Sequence, residues 1–404
     1  MSPAKRTRAK QASEKLFQPI RIGSIEVKNR IAFAPTGMGT ARADGAISDQ
    51  GICHYAARAK GGAGLIIVEH SLCTLRHWRA GAPILSFHNP HTLPWMKDLA
   101  DAVHSFGAKA VVQLSLGLGR QANPRAAGTE LVGASCVPYF VAKGSTPRGL
   151  HHLEGVTGAT PRELTGDEVA ELEEEFVSAA ARVKRAGFDG IEVHGAHGYL
   201  LADFISPLTN RRTDAYGGTF DKRLTLPLHL IRKTRKRVGE KFVLGFRISG
   251  DEHVEGGLTL QDTTQLLPIL VKEGLDYIHL SSGRQDALKF LFPDKEGVIL
   301  PEAEAVKKAV SVPVICPNIH DPLLAEQVLE QGRVDVLSLS RALLADPEWP
   351  NKVQAGRAED IRRCIFCNSC LKSLWDGLGT RCAVNPDVGH ERFMPEYFPF
   401  ARHG

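Results

Sequence analysis

The sequence predicts an α/β protein, a (β/α)8 TIM barrel with a four-cysteine segment at its C-terminal end. The first observation behind this is repetition: from about residue 30, short β-branched runs alternate with longer helical patterns. The second is that each short run is almost continuously apolar, as strands buried on both faces of a parallel sheet are. Eight such strands with helices between them fit a closed barrel better than a doubly wound sheet. The third is the crowding of Cys364, Cys367, Cys370 and Cys382 near the end of the chain, whereas Cys53, Cys73, Cys136 and Cys316 are scattered.

In chain order, residues 1–14 read as a basic, disordered tail, 15–355 as the barrel, and 356–404 as the cysteine segment with a C-terminal extension. Lys5, Arg6, Arg8, Lys10 and Lys15 face only Glu14, so the tail holds most of the net charge of +5. A solvated tail explains this better than a nucleic-acid arm. Pro19–Lys28 alternates around a Gly-Ser turn and predicts a small hairpin that closes the barrel floor. The barrel strands are expected at Ile31–Pro35, Gly64–Glu69, Lys109–Leu114, Gly190–His194, Val243–Ser249, Tyr277–Ser281, Val312–Pro317 and Val334–Leu339. A helix over Asp167–Ala186 follows the capping-box pattern Thr165–Glu168, and another is expected from Asp321 to Gln331. The stretch Gln121–Arg162, rich in Gly, Pro and Ser, predicts a long loop after strand three that overhangs the active face.

The 404 residues are 43% hydrophobic and 24% charged, as in ordinary globular proteins. No apolar run approaches the roughly 20 residues of a membrane helix, and the N-terminus lacks the apolar stretch of a secretory signal. The expectation is a cytoplasmic protein with no nucleic-acid or membrane partner. No G-x-G-x-x-G follows a strand, so no Rossmann dinucleotide domain is expected.

Polar residues gather where the strands end, the face on which a barrel of this kind places its chemistry. Strand four runs into His194-Gly-Ala-His197-Gly-Tyr199, then Ser206-Pro207 and Asn210–Gly218. Two imidazoles can donate hydrogen bonds to a carbonyl oxygen, and a phenol can deliver a proton. A histidine-rich turn satisfied by backbone, or a metal site, is the plainer explanation for an isolated pair. The full run, HGAHGYL…SPLTNRRTDAYGG, resembles the old yellow enzyme family of FMN-dependent ene-reductases and their relatives, and the resemblance spans about residues 15–388.

The resemblance implies roles position by position. His194 and His197 would bind the substrate carbonyl, and Tyr199 would protonate the carbon alpha to it. Pro35, Thr36 and Gly37 after strand one would meet the flavin ring, and Gln113 its pyrimidine edge. Arg247 on strand five would stabilise the anionic reduced flavin, its charge persisting at any working pH. Asn318 after strand seven, with Ser340 and Arg341 after strand eight, would hold the phosphate. Ser340 stands where many relatives have glycine. His70 follows strand two where relatives often have a small residue; contact with the flavin and capping of the strand are both open. Strand three departs from the family's Q-L-x-H-x-G-R, reading Gln113-Leu-Ser-Leu-Gly-Leu-Gly-Arg120.

Four thiolates in a C-x2-C-x2-C pattern with a later Cys382 suit either [4Fe–4S] or zinc. Zinc more often uses two separated C-x2-C knuckles, so the spacing leans to iron–sulfur. The segment resembles the iron–sulfur branch of the family, 2,4-dienoyl-CoA reductase and trimethylamine dehydrogenase. The first three cysteines have the spacing of the amine dehydrogenase, and Cys382-Ala-Val-Asn-Pro looks like the dienoyl-CoA reductase. In those relatives a nucleotide-binding region follows. This chain stops about where that region would begin, as a short form or a fragment, so an external electron-transfer protein or subunit is expected. NAD(P)H is a candidate donor, and self-association is expected by analogy alone.

The leading expectation is reduction of an activated C=C bond in an enone or enoyl thioester, with hydride from flavin N5. The main rival is C–N oxidation by an amine dehydrogenase or N-demethylase, which the resemblance associates with an aromatic bowl and a tyrosine in place of His194. A non-catalytic electron-transfer subunit and a zinc-stapled barrel stay open as well. For a thioester, Gln285 stands where dienoyl-CoA reductases place a histidine. Arg284, Lys289 and Lys295 are then candidate CoA phosphate contacts, although a solvated basic loop explains them better.

Overall fold

The computed structural model describes residues 14–74, 83–122 and 130–394. The basic tail before Glu14 and the last ten residues of the extension lie outside the described residues. The hairpin forms as expected, β1 (Ile20–Ile22) pairing antiparallel with β2 (Ile25–Val27). Its inward side chains Ile22 and Val27 pack with Leu65, Ile67, Val111, Val243 and Ile315, which plugs the barrel floor.

The barrel consists of β3 (Ile31–Phe33), β4 (Leu65–Leu72), β6 (Lys109–Ser115), β9 (Gly190–Gly195), β10 (Val243–Ser249), β11 (Tyr277–Ser281), β12 (Val314–Pro317) and β13 (Val336–Leu339). All pair in parallel, and β3 bonds both β13 and β4, so the ring closes. The short β5 (Leu85–Ser86) extends off β4, and β7 (Val132–Gly133) pairs with β8 (Arg162–Glu163) inside the long loop after β6. Strands five and six match the expected limits; the others shift by a few residues at their ends, where pairing rather than composition sets the limit.

The long helix spans Gly166–Arg185, and both halves of the Thr165–Glu168 capping box are made. The helix Pro322–Glu330 starts on Asp321, whose carboxylate accepts from the Leu323 and Leu324 amides. Inside the barrel, Gly245 on β10 lies against the ring of Tyr277 on β11, and a Cβ there would stand 2.1 Å from it. That missing side chain lets the Tyr277 hydroxyl donate to Glu192 on β9 at 3.0 Å.

The cysteine segment folds back onto the rim formed by the strand ends. Thr380 donates from its amide to Met38 O at 3.0 Å and from its hydroxyl to Gly37 O at 2.6 Å. Asn385 donates to Leu344 O, and Leu374 fills the space over Gly37 and Gly39. Further on, Glu391 is buried against Arg58 and His54 of the helix Asp49–Lys60. Arg58 and His54 hold its carboxyl well below the usual range against the opposing push of burial. No described helix is long and apolar enough to cross a membrane.

Truncating Glu391 to alanine leaves Arg58 buried without its anion, and breaking a buried pair costs about 3–5 kcal/mol. Denaturant unfolding of Glu391→Ala should show a loss of that order. A loss below about 1 kcal/mol would mean the segment is not anchored there.

Candidate active site

A cavity of about 700 Å³ opens at the C-terminal ends of the barrel strands. That volume is within the range of small-molecule and cofactor sites. Pro35, Thr36, Gly37, His70, Gln113, His194, His197, Tyr199, Arg247, Asn318, Ser340 and Arg341, the site residues named from the sequence outside the cysteine set, all line it. The loop after β6 contributes Gln121, Tyr139, His152 and Leu153 to its wall, so this loop does overhang the rim.

At the end of β9 the three side chains of the motif pack as a cluster. The ring centroids of His194 and His197 are 5.1 Å apart, and those of His194 and Tyr199 5.0 Å. His194 Nδ1 accepts from the Ala196 amide at 3.3 Å, which leaves Nε2 to carry the ring proton. His197 Nε2 meets Ser281 Oγ at 2.7 Å. Burial, with help from neighbouring rings and Arg247, holds both imidazoles well below their ordinary pKa, so they are neutral near pH 7. Burial raises the Tyr199 phenol against the pull of Arg247, so it keeps its proton.

The turn carrying Tyr199 is under constraint. His197 sits at φ +67°, a left-handed conformation costly for a side-chain-bearing residue. Gln121 Nε2 donates to both His197 O and Gly198 O, at 2.8 and 2.7 Å. Beneath it, Arg284 is fully buried and bonds Glu252 at 2.8 Å and Asp286 at 3.0 Å. Arg284 therefore faces inward and does not offer its charge to a CoA phosphate. Arg120, from the irregular end of strand three, is likewise buried and pairs with Asp203 at 3.3 Å.

Below the cavity a polar network fixes the groups on its floor. Gln113 Nε2 donates to Glu192 Oε1 at 2.7 Å, which leaves the amide oxygen of Gln113 free to accept. Glu192 also accepts from Tyr277, and its other neighbour His279 lies 2.8 Å away. Burial pushes Glu192 up, but His279, Arg247 and Gln113 outweigh it and keep the carboxylate charged. Arg247 Nε and Asn318 Nδ2 are buried without a hydrogen-bond partner. A buried donor left unpaired is costly, and both belong to residues lining the cavity, where a flavin's oxygens would satisfy them. Thr36 and Ser340 join the first and last strand ends at 2.8 Å.

His70 lies within β4, which runs on to Leu72, so it does not cap the strand. It stacks on Tyr199 with centroids 5.0 Å apart and rings 26° from parallel. The residue before it, Glu69, was missed in the sequence. A lone acid at the end of the apolar run Leu65–Val68 was the available signal. Glu69 is buried in the cavity wall, accepts from the Met38 amide at 2.9 Å and from Tyr55 at 3.2 Å, and burial pushes it up to about 7.

Cys364, Cys367, Cys370 and Cys382 ring one small space closed by Ile365, Ala383 and Val384. All four are free thiols, and the Phe366 amide donates to Cys364 Sγ at 3.4 Å. Among the described residues no three His, Cys, Asp or Glu side chains form a site for a single metal ion. Cys370 also lines the larger cavity, and Arg341 and Leu344 line both.

The profile described as the NADH:flavin oxidoreductase / NADH oxidase family matches residues 15–360. This chain belongs to that family. It is 40% identical over 388 residues to an NADH oxidase of Thermoanaerobacter brockii, covering 94% of this chain and 57% of the relative. To a cinnamate reductase of Clostridium sporogenes it is 33% identical over 401 residues, covering 93% of this chain and 58% of the relative. The solved structure of 2-naphthoyl-CoA reductase with 2-naphthoyl-CoA superposes with a TM-score of 0.85 at 28% identity, covering 94% of this chain and 58% of that one. The chain thus spans somewhat over half the length of these relatives. The old yellow enzyme resemblance and the barrel are borne out, and the family is one of flavin-dependent oxidoreductases.

Glu69 gives a pH dependence with a definite sign. A carboxyl raised in the folded state adds stability that is full below the ordinary carboxylate value and lost as pH rises through about 7. Melting temperature should therefore fall from about pH 6 to about pH 8 in the wild type, and fall less in Glu69→Gln. Parallel curves for the two proteins would contradict the assignment.

Proposed function

We propose that this chain is an FMN- and [4Fe–4S]-dependent oxidoreductase that reduces an activated C=C bond in an enone or enoyl thioester. The observation that carries this is the convergence of two neutral imidazoles and one protonated phenol in a single cavity with Gln113 and Arg247.

A flavin held there would supply the hydride. His194 and His197, as neutral donors, would polarise the substrate carbonyl and stabilise the negative charge that grows on its oxygen. Tyr199 would hand its proton to the carbon alpha to that carbonyl. Gln113, through its free amide oxygen, and Arg247, through its buried charge, would orient the flavin's pyrimidine edge; Asn318, Ser340 and the backbone of Arg341 would hold its phosphate end. The names of a cinnamate reductase and a 2-naphthoyl-CoA reductase among the similar proteins support unsaturated carbonyl chemistry.

Four free thiols around one space, with an N–H···S bond and a nearby guanidinium, suit a cluster, because thiolates stabilise soft metals and hydrogen bonds to sulfur tune them. The cluster would carry single electrons to or from a separate protein or subunit, with NAD(P)H as a candidate source.

The second reading, oxidation of a C–N bond, has one observation in its favour. Phe292 and Trp375 meet edge to face at 6.2 Å in the cavity wall, with Tyr139 also lining it. These aromatic faces could receive a cationic amine. His194, where the amine-oxidising relative has tyrosine, favours the reductase.

Anaerobic absorption titration with NADH, then with an enone or a methylated amine, separates the readings. Tyr199→Phe should lower enone turnover by about 10²–10⁴-fold, the usual weight of a general acid, while the rate of flavin reduction stays near wild type. An equal fall in both half-reactions would count against the proton-donor role. Cys382→Ser should lose bound iron and keep the flavin; zinc in place of iron in the wild type would sink the cluster.

A further inference from the structure

Arg341 was expected at the flavin phosphate, yet its hydrogen bonds point elsewhere. One guanidinium nitrogen donates to Asn368 Oδ1 at 2.9 Å, and Asn368 lies between Cys367 and Cys370. The other donates to Pro293 O at 2.8 Å. The guanidinium carbon stands 5.0 Å from the centre of the ring of Phe366, one of the two residues between Cys364 and Cys367. The far side of this loop is held as well. Asn368 Nδ2 donates to Arg148 O at 2.9 Å, and Phe366 stacks on His320 of the cavity wall, with centroids 5.0 Å apart and rings 5° from parallel.

We propose that Arg341 is the electrostatic link between the two cofactor sites: it clamps the Cys364–Cys370 loop and its fixed positive charge sets the cluster's reduction potential. This rests on the [4Fe–4S] reading above. One electron added to a four-thiolate cluster adds one negative charge. A guanidinium held beside the thiolates stabilises that reduced form more than the oxidised one, which raises the potential. Arginine suits the task because it is weakly hydrated and keeps its charge when buried. Supporting this, Arg341 lines the small space ringed by Cys364, Cys367, Cys370 and Cys382. Arg341 also lines the larger cavity, so the same residue borders both cofactor sites. Arg341 thus acts as a positioning residue for electron transfer rather than a group that touches the substrate.

The test is a redox titration of the holoenzyme followed by the paramagnetic signal of the reduced cluster, for wild type, Arg341→Gln and Arg341→Lys. Arg341→Gln should lower the reduced-to-oxidised ratio at fixed potential about tenfold, equivalent to 59 mV for a one-electron couple. Arg341→Lys keeps the charge but not the two-pronged fork, and should shift the ratio the same way by about two- to fivefold. If Arg341→Gln fails to retain the cluster, Arg341→Lys alone decides. A Gln variant within about threefold of wild type, or a Lys variant shifted by about tenfold or more, overturns the inference. Wild-type protein that binds flavin but holds no iron overturns the cluster reading itself, and this inference falls with it.

Discussion

The closure of the parallel barrel is the constraint on which the rest depends. β3 bonds β13 on one side and β4 on the other, so eight strands share one direction and end on one rim. Strand ends far apart in sequence, at Gly37, Gln113, His194, Arg247, Asn318 and Arg341, are thereby held around one cavity. Parallel strands need long crossovers, and the helices that provide them cover the outside. The inside is free to be polar near the rim only because its polar atoms satisfy one another. Glu192 is the hub of that arrangement: Gln113, Tyr277 and His279 all bond it. A buried carboxylate with this many partners is stable, and it fixes which end of Gln113 faces the cavity.

The site follows the same rule of pairing. Buried imidazoles avoid charge, so His194 and His197 are hydrogen-bond donors rather than cations. Buried guanidinium groups cannot avoid charge, so Arg120 and Arg284 are matched by Asp203, Glu252 and Asp286 beneath the Tyr199 turn. Among the buried side-chain atoms without a hydrogen-bond partner, Arg247 Nε and Asn318 Nδ2 belong to residues on the cavity wall. The cysteine segment is bound to the barrel by the same logic, through Arg58 and Glu391 and through Thr380 on the backbone of Gly37 and Met38.

Much of this was legible in the chain. Apolar runs, capping residues and the His194–Tyr199 motif are local signals, and each strand and the long helix formed within a few residues of where they put them, while the other cavity-lining residues were read from the family resemblance. The misreadings were long-range. Arg284 was read as part of a solvated basic loop, or else as an anion contact, but it is buried against Asp203, Glu252 and Asp286. Glu69 was passed over because one acid closing an apolar strand carries no sign of which cavity it will face. Arg341 was read only toward the flavin, since nothing in Ser340-Arg341 shows that Asn368 will lie 2.9 Å away.

The sequence by itself determined the class of fold, the polar residues at the strand ends and the four thiols, because periodicity and residue type are properties of neighbours along the chain. Only the tertiary structure decided which of these groups share a cavity, which charges are neutralised, and that the cysteine loop rests on the rim beside Arg341. Burial and pairing arise between residues far apart along the chain, and they come into being only when the barrel closes.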